Sequence, residues 1–555
     1  MKGNTLFWIV KRIRRRIPAL GLLTAAQIGH ALLSVFFALG TRGVIDSAIS
    51  GDTRAFFWAC VGQGSIIGGI ILCLTLLRHL RDRLSADLEM DWKQQLLHGL
   101  LHGDYAAVSR YHSAELLNRL NNDVAKVNGG VLSILPSAAA MVTRLVAAVV
   151  VLGTLDARFT LLLLPMGGVV IVATGLMRKR LKALNKKVSE CDGKVSGLLQ
   201  ESMEKLLMVQ AMDVSTQVEQ RSDGLLTERY EIQRKRKNIS LMTNTGISLM
   251  FYGAGFLALV WCARRLLLGQ MTFGSLTAIT QLVSQLQTPF VNLSGVLPQY
   301  VAMTASAERL MELEEIQGTP APIGQDPHQM YAQMEALRAR DLSFAYDRDE
   351  ILNGADFTLP KGAFAVITGP SGIGKSTLLK LLLGIFRPSR GGLSITGQDG
   401  EMTLDRSTRR LFAYVPQGNL LLSGTLRENL TIVKPQATET EIQQAVYVSC
   451  MDEFLPQLPL GLDTPLGESG AGLSEGQAQR RAIARAVLGD APILLLDECT
   501  SALDGDTEQR VLHRIKALPD RTCIAVTHRP AILELADWKL DVSEQGIRAE
   551  HLTPM

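Results

Sequence analysis

The residues from Gly369 to Thr377 have the types and spacing, G-x-x-x-x-G-K-S/T, of a loop that binds nucleotide phosphates. A strand-like run (363–368) precedes this loop and a helix-like run (378–383) follows it, as the motif requires. Glycines let the backbone direct successive N–H groups at phosphate oxygens, and the following helix contributes the positive end of its dipole. We therefore predict an ATP and Mg²⁺ site, rather than an ordinary glycine-rich turn before a buried helix. Lys375 would reach the β- and γ-phosphates, and the Ser376 hydroxyl would bind Mg²⁺. The loop residues predicted to contact the nucleotide are Gly369, Ser371, Gly372, Gly374, Lys375, Ser376 and Thr377.

Two acidic residues end a second strand-like segment. The apolar run 493–496 is typical of a buried parallel strand, and Asp497 and Glu498 follow it at the end where α/β sheets bind ligands. Asp497 would hold Mg²⁺ through its water shell, and Glu498 would polarise an attacking water. His528 follows another apolar run, which favours a contact with the γ-phosphate. Each residue alone would fit a structural role. Together they predict that Lys375, Glu498 and His528 are catalytic.

The segment Leu473–Gln477, with the sequence LSEGQ, and the helix-like run after it resemble the signature loop and helix of ATP-binding cassette (ABC) proteins. Other landmarks of that family follow in order: an aromatic residue that stacks on adenine, the glutamine of the Q-loop, the X-loop of exporters, the D-loop and the switch histidine. In this chain they are Tyr346, Gln417, Gly467–Gly470, Ser501–Asp504 and His528.

The resemblance implies further roles in the nucleotide site. It adds Tyr346, Gln417, Ser474, Gly476, Gln477 and Asp504 to the residues that bind the nucleotide, and it makes Gln417 a metal ligand beside Ser376 and Asp497. The chain departs from the family pattern at Glu475, where glycine is more common. Because Ser474 and Gly476 are retained, we expect an active signature loop.

Composition separates the two halves of the chain. The 555 residues include 57 Lys and Arg against 53 Asp and Glu, so bulk charge gives no argument for a nucleic-acid partner and none is predicted. The mean hydropathy of +0.16 is high for a soluble protein, and the apolar residues are concentrated in roughly the first 300 positions. The seven cysteines are scattered, which favours buried thiols over a disulfide or zinc framework.

Six apolar segments predict membrane spans, because each is near the ~20 residues that a hydrocarbon core of about 30 Å requires. Basic clusters lie before the first span and after the second and fourth, and such clusters remain cytoplasmic. An even number of spans then places the N-terminus and the ATP site in the cytoplasm, with the protein in the cytoplasmic (inner) membrane. No cleavable signal peptide is expected. The predicted spans are 17–40, 55–77, 131–153, 159–177, 240–262 and 273–297.

Two excursions between spans predict helical arms. They contain about 50 and about 60 residues, and helices running out and back would extend some 35 Å from the membrane. Their predicted tips are 103–112 and 203–214. A Pro/Gly-rich linker, 317–334, follows the membrane domain (1–316) and precedes an α/β nucleotide-binding domain (335–555). The predicted fold is therefore an all-α membrane domain of six helices with long cytoplasmic extensions, plus a P-loop ATPase domain.

Polar residues interrupt several predicted spans, among them Gln27, His30, Arg144 and Gln281. Such groups either form hydrogen bonds between helices or line a water-filled cavity that binds a substrate. The sequence alone does not choose between these roles.

The resemblance extends to the membrane half, which is similar to type IV exporter half-transporters. It implies an ATP-driven exporter that works by alternating access as a homodimer, or as a heterodimer with a related half. Each ATP would lie between the phosphate loop of one chain and the signature loop of the other. The expected cargo is a peptide, a lipid or another amphipathic molecule, and a peptide exporter with an N-terminal protease domain is disfavoured. The alternatives are an importer, a soluble ABC protein acting on DNA or ribosomes, and an ATP-gated channel or ATP-coupled sensor.

Overall fold

The computed structural model describes residues 2–316, 326–346, 349–398, 400–418, 422–467, 473–527, 529–543 and 546–552. The chain forms two compact units. The first comprises Met1–Gly99 and His112–Glu315, and the second comprises Leu100–Tyr111 and Ile316–Met555. Half of the predicted linker, 317–325, lies outside the described residues, so the predicted domain boundaries stay a prediction.

Long helices form the N-terminal half of the chain. Among the described residues, six helices exceed 30 residues, and each contains one predicted span: α2 (Ile17–Ser50), α3 (Thr53–His102), α6 (Val124–Leu155), α7 (Ala157–Glu204), α9 (Ser215–Leu267) and α10 (Phe273–Glu315). The shorter helices are α1 (Lys2–Ile13), α4 (Tyr105–Val108), α5 (Ser113–Asn118) and α8 (Leu206–Ala211), with a 3₁₀ turn at Arg14–Arg16 and a π-helix at Arg119–Asp123.

The described helices include candidates for membrane spans. Within that part of the chain, four are long and apolar enough to cross a bilayer: Thr5–Ser50, Thr53–His102, Ser113–Leu155 and Ser215–Leu267. At 1.5 Å per residue, the 50 residues of α3 extend about 75 Å, which is more than twice the hydrocarbon thickness of about 30 Å. The helix is therefore long enough to form both a span and one side of an arm.

Both predicted arm tips are confirmed as breaks in the helices. At the first tip, α3 ends at His102, and the Asp104 carboxylate accepts a hydrogen bond from the Ala106 amide (3.0 Å) to cap α4. At the second tip, α7 ends at Glu204 and α9 begins at Ser215, with the short α8 between them.

A buried charge cluster lies in the first unit where α10 meets the π-helix. Asp123 is fully buried, and its carboxylate accepts hydrogen bonds from the Ser306 hydroxyl (2.9 Å) and from the Arg309 guanidinium (2.6 and 2.8 Å). Arg119 donates to the Glu312 carboxylate (3.0 Å) and to the Arg309 carbonyl (2.8 Å). The extra residue of a π-helical turn reorients side chains, and here both ends of the turn supply charged groups to α10.

The second unit is an α/β structure with two main sheets. A four-stranded antiparallel sheet has the order β2-β1-β4-β5, and a six-stranded sheet has the order β12-β11-β3-β10-β9-β6. The latter is parallel except for the edge strand β12. A short pair, β7 and β8, completes the strands. The strands are β1 (Met334–Tyr346), β2 (Asp349–Pro360), β3 (Phe364–Thr368), β4 (Arg390–Gly397), β5 (Gly400–Thr403), β6 (Phe412–Val415), β7 (Gly424–Thr425), β8 (Pro465–Leu466), β9 (Ile493–Asp497), β10 (Thr522–Val526), β11 (Trp538–Ser543) and β12 (Gly546–His551).

The helices of this unit connect these strands. They are α11 (Pro327–Gln333), α12 (Lys375–Leu382), α13 (Leu426–Thr431), α14 (Glu439–Val448), α15 (Glu475–Leu488), α16 (Gly505–Lys516) and α17 (Pro530–Leu533), with 3₁₀ turns at Arg409–Leu411, Met451–Glu453, Leu455–Gln457 and Gly461–Asp463.

The six-stranded sheet separates two hydrophobic cores. Ile493 and Leu495 of β9 pack in the core that contains α12, whereas Leu494 and Leu496 pack in the core that contains α13 to α16. Alternate residues of β3 and β10 divide in the same way, because successive side chains of a strand point to opposite faces. In the strand register, Val526 lies beside both Ile367 and Asp497. The carboxyl ends of β3, β10 and β9 therefore meet at one edge.

Candidate nucleotide-binding site

The phosphate loop joins β3 to α12 at this edge. Gly369 and Gly374 have φ angles of 142° and 105°, a region that favours glycine. A Cβ atom on Gly369 would lie 2.4 Å from the Val542 carbonyl oxygen, and one on Gly374 would lie 2.5 Å from a side-chain carbon of Ile351. Both positions therefore require glycine for space as well as for backbone conformation. The predicted contacts Ser371 and Gly372 are exposed at the outer turn of the loop.

Lys375 is buried at the first position of α12, and its side chain folds back into the loop. Its Nζ donates to the carbonyl oxygens of Gly369 (2.9 Å) and Pro370 (2.8 Å). An ammonium group has three donors, so phosphate oxygens can replace carbonyl partners without leaving the charge unpaired. This buried cation at a helix N-terminus fits a bound polyphosphate.

The predicted metal ligands Ser376 and Asp497 are in direct contact. The Ser376 hydroxyl donates to Asp497 Oδ1 (2.8 Å), and the Tyr414 hydroxyl donates to Asp497 Oδ2 (3.0 Å). Asp497 is buried. A hydroxyl and a carboxylate are oxygen ligands that suit Mg²⁺, which is commonly held by one or two carboxylates together with water and substrate phosphates. These residues therefore fit that ion.

Glu498 follows Asp497 in a strained backbone conformation. Its φ is +47°, which is uncommon for a residue with a side chain, and its amide donates to the Val526 carbonyl (3.1 Å). Its carboxylate accepts a hydrogen bond from the Gln417 side-chain amide (2.7 Å). The structure thus brings two predicted site residues, Gln417 and Glu498, into contact at the edge that carries the phosphate loop.

Aromatic side chains surround the predicted adenine contact, Tyr346. Its ring packs edge-on against Phe344 and Phe386, with centroids 4.8 and 5.3 Å apart, and its hydroxyl lies 3.4 Å from the Thr377 hydroxyl. Tyr105, which belongs to the same compact unit, packs edge-on against Phe386 (6.0 Å). Because Tyr346 is 39% exposed, part of its ring remains free to stack on a base.

The predicted signature-loop residues form the N-terminus of α15. The Ser474 hydroxyl accepts from the Gln477 amide (3.3 Å), and the Gln477 side-chain oxygen accepts from the Ser474 amide (2.9 Å). A Cβ on Gly476 would lie 2.9 Å from the Ala502 carbonyl oxygen. The Gln479 side-chain oxygen accepts a hydrogen bond from the Ala502 amide (3.0 Å), and its side-chain nitrogen donates one to the Ser501 hydroxyl (2.9 Å). The signature loop and the D-loop are therefore packed together.

The D-loop residue Asp504 caps α16. Its carboxylate accepts a hydrogen bond from the Thr507 amide (2.9 Å), and this bond, together with one from the Thr507 side chain, holds the pKa of Asp504 below its usual value. The carboxylate therefore stays ionised as a helix cap at neutral pH. The predicted catalytic residue His528 and most of the predicted X-loop, 468–470, lie outside the described residues.

Two residues near the site were not predicted. Tyr414 donates to Asp497, and Phe386 packs against Tyr346. Tyr414 could have been noticed, because it lies three positions before Gln417 in a strand-like run. Phe386 follows the helix after the phosphate loop and has no motif that indicates its place.

We expect Tyr414→Phe to weaken Mg²⁺ binding. Burial and the nearby Asp497 carboxylate raise the pKa of Tyr414, so the phenol remains a donor at alkaline pH. Loss of the hydroxyl leaves one Asp497 oxygen without this donor. The Mg²⁺ concentration for half-maximal ATPase activity should rise about fivefold, which corresponds to a loss of ~1 kcal/mol in the free energy of Mg²⁺ binding. A Mg²⁺ titration of the ATPase rate measures this shift. Tyr447→Phe on the exposed surface of α14 is the control, and equal Mg²⁺ dependence in both variants would contradict the role of Tyr414.

Two family models match the chain. The one described as the ABC transporter transmembrane region matches residues 20–290, and the one described as ABC transporter matches residues 352–501. The chain belongs to the ABC transporter family. The second match contains the phosphate loop, Gln417, the signature loop, Asp497 and Glu498. The predicted membrane helices and the ABC ATP-binding domain in one chain are thereby confirmed.

Individual relatives agree with this assignment. A multidrug efflux ATP-binding/permease protein of Mycobacterium bovis is 29% identical over 100% of this ABC transporter chain and 46% of its own length. An ATP-dependent lipid A-core flippase of Desulfotalea psychrophila is 30% identical over 68% of this chain and 65% of its own length. The chain thus spans less than two thirds of the length of either relative.

A solved structure gives the same fold. The structure of a bacterial Atm1-family ABC exporter with ATP bound matches 97% of this chain and 95% of its own chain, with a TM-score of 0.79 and 23% identity. The predicted fold class, a helical transmembrane region with an ABC ATPase domain, is confirmed by this match.

Proposed function

We propose that this ABC transporter chain is one half of an ATP-driven exporter. The observation that carries the proposal is the assembly of Lys375, Ser376, Asp497 and Glu498 at one sheet edge, in a chain that also contains an ABC transmembrane region. These groups can bind a polyphosphate, hold Mg²⁺ and orient water. The proposed activity is therefore ATP hydrolysis coupled to movement of a substrate across the membrane.

Two copies are proposed to form two composite sites. The helix that follows the phosphate loop, α12, and the signature helix, α15, pack in different cores on opposite faces of the six-stranded sheet. This separation supports a site in which the signature residues Ser474, Gly476 and Gln477 come from the other chain. A homodimer would have two equal sites, and a heterodimer with a related half is the alternative.

The chain's own residues suggest how hydrolysis proceeds. Lys375 exchanges the loop carbonyls for phosphate oxygens, and its charge stabilises negative charge that develops at the phosphoryl group. Glu498 exchanges the Gln417 amide for an attacking water, which it orients or deprotonates. Mg²⁺, when bound at Ser376 and Asp497, supplies further neutralisation of phosphate charge. His528 is proposed to contact the γ-phosphate.

Binding and hydrolysis are proposed to drive alternating access. ATP that binds the closed dimer more tightly than the open one shifts the population towards closure, and hydrolysis reverses the shift. The membrane helices then expose a cavity first to the cytoplasm and then to the outside. We place the N-terminus and the ATPase domain in the cytoplasm and the chain in the cytoplasmic membrane.

The cargo is proposed to be an amphipathic molecule, such as a lipid, a drug-like compound or a peptide. Polar side chains within the apolar helices support this class, since they could bind a polar group beside an apolar one. The names of the two curated relatives, a multidrug efflux protein and a lipid A-core flippase, are consistent with it.

Transport in sealed inside-out vesicles tests this function. We expect ATP-dependent accumulation of an amphipathic fluorescent substrate against its gradient, inhibited by vanadate and absent without Mg²⁺. A channel would equilibrate the substrate without concentrating it, and a sensor would move none. Either outcome in vesicles that hydrolyse ATP would exclude the exporter and favour the corresponding alternative.

A further inference from the structure

A cavity of about 430 Å³ lies between α2, α3 and α6 in the first unit. Among its described lining residues, three are arginines, Arg78, Arg81 and Arg144, and one is a carboxylate, Asp82. His30 adds an imidazole. The volume lies within the range of small-molecule pockets, and the excess of cations favours a ligand with negative charge.

Arg144 lies well inside the predicted span 131–153, where an unpaired charge is unfavourable. In the part of the chain that the structure describes, its Nε is buried and has no hydrogen-bond partner. Asp82 is exposed beyond the end of the predicted second span, 55–77, and forms no described ion pair with Arg144. Arg144 therefore lines the cavity with a cation that has an unsatisfied buried donor, and an anionic oxygen in the cavity would neutralise its charge.

Four apolar side chains, together with the polar Gln27 and Ser137, form the rest of the described lining. Leu74 and Leu77 of α3 and Ala140 and Met141 of α6 face the same space. A small inorganic anion would leave these surfaces in contact with water, whereas an alkyl or aryl group would cover them. Met is flexible and adapts to apolar groups of different shape. The lining thus combines an anion site with an apolar one.

We propose that this cavity binds an anionic amphiphile, with its phosphate or carboxylate at Arg144 and its apolar part against Leu77 and Met141. The proposal rests on the export function above and narrows its substrate class from amphipathic molecules to anionic ones. Arg78 and Arg81, at the mouth of the cavity, attract the anionic group. The anion-bearing molecule is either a membrane lipid or a single-chain amphiphile.

Direct binding to the full chain tests the proposal without ATP. The chain is purified in excess dodecyl maltoside, a neutral detergent with the same alkyl chain, and titrated with radiolabelled dodecyl phosphate. We expect Arg144→Gln to raise the Kd at least tenfold and Arg144→Lys to raise it less. Arg54→Gln, which removes an exposed charge from α3 outside the cavity, should bind like the wild type. Equal affinity of the wild type and Arg144→Gln would overturn the proposal.

A substitute variant and two competing ligands extend this binding test. If Arg144→Gln does not fold, Arg78→Gln serves instead, because Arg78 is exposed and its replacement leaves packing unchanged; a Kd shift below twofold there would overturn the proposal. Labelled inorganic phosphate should bind at least tenfold more weakly than dodecyl phosphate, and equal affinity would rule out an amphiphile. Competition by phosphatidic acid would identify a lipid as the source, and its absence a single-chain amphiphile; either agrees with the proposal.

The outcome is separable from that of the export function. Glu498→Gln, proposed to be inactive in hydrolysis, should bind dodecyl phosphate as the wild type does. If binding depends on Arg144 but the chain does not accumulate substrate in vesicles, the export function is contradicted and the proposed anionic ligand of the cavity is not. If the chain exports substrate but binding of dodecyl phosphate does not depend on Arg144, only the proposed ligand of the cavity is contradicted.

Discussion

Glu498→Gln is expected to lower the steady-state rate of ATP hydrolysis at least about 100-fold, within the range of rate enhancement that a general base contributes. The substitution keeps the size of the side chain and an acceptor for the Gln417 amide, but removes the charge that we propose orients or deprotonates water. ATP binding should remain, because Lys375 and the phosphate loop are unchanged. Phosphate release and equilibrium binding of a fluorescent ATP analogue measure the two properties.

Glu534→Gln is the matched control, since Glu534 is exposed and lies outside the described site. Its hydrolysis rate should equal that of the wild type. Wild-type hydrolysis in Glu498→Gln would remove Glu498 from the catalytic role. Loss of both hydrolysis and ATP binding would instead indicate that the strained backbone at Glu498 does not tolerate the amide.

Arg309→Met is expected to destabilise the first unit by about 2–3 kcal/mol. The substitution removes the guanidinium that donates two hydrogen bonds to the fully buried Asp123 carboxylate, and leaves it with the Ser306 hydroxyl and the more distant Lys126 ammonium (3.9 Å). Breaking a fully buried ion pair costs about 3–5 kcal/mol, and the smaller value allows for the 41% exposure of the Arg309 side chain. The unfolding temperature, followed by tryptophan fluorescence in detergent, measures the loss. Trp8 and Trp92 are suitable reporters because they pack against each other in the same unit, 5.1 Å apart.

The double variant Arg309→Met with Asp123→Leu separates the lost ion pair from lost packing. It removes both charges, so no buried carboxylate is left unpaired, and it should recover more than half of the stability lost in Arg309→Met. An unfolding temperature of Arg309→Met equal to that of the wild type would show that Asp123 finds another partner or water. A double variant less stable than Arg309→Met would show that the role of Asp123 extends beyond the pair.

Much of the candidate site could be predicted because its residues lie in short local motifs, even though those motifs are far apart in the chain. The motif spacing sets Lys375 and Ser376 relative to each other, and the apolar run before Asp497 places that carboxylate at the same sheet edge. The contact between Ser376 and Asp497 follows from these two facts. The partner of Gln417 could not be predicted, because its hydrogen bond with Glu498 depends on how two separate loops meet. The position of Tyr414, three residues before Gln417, is visible in the sequence, but its hydrogen bond to Asp497 depends on the pairing of two distant strands.

The fold was also predictable from local sequence patterns. Apolar segments of span length and the strand-like runs are local patterns, and each has its counterpart among the described helices and strands. The residues that Leu100–Tyr111, the tip of the first arm, contacts within the second compact unit were not predictable. These contacts, such as that between Tyr105 and Phe386, join residues that lie far apart in the chain. Periodicity indicates which face of an element is apolar, but not the distant element that covers it.

Because alternate side chains of β9 belong to different cores, substitutions at adjacent positions of this strand should produce different defects. Leu495→Ala would create a void beside α12 and should first raise the ATP concentration needed for activity. Leu494→Ala would create a void beside α15 and should first reduce pairing of the two chains in the proposed dimer. Conditional alleles along this strand would then alternate between two phenotypes with a period of two residues.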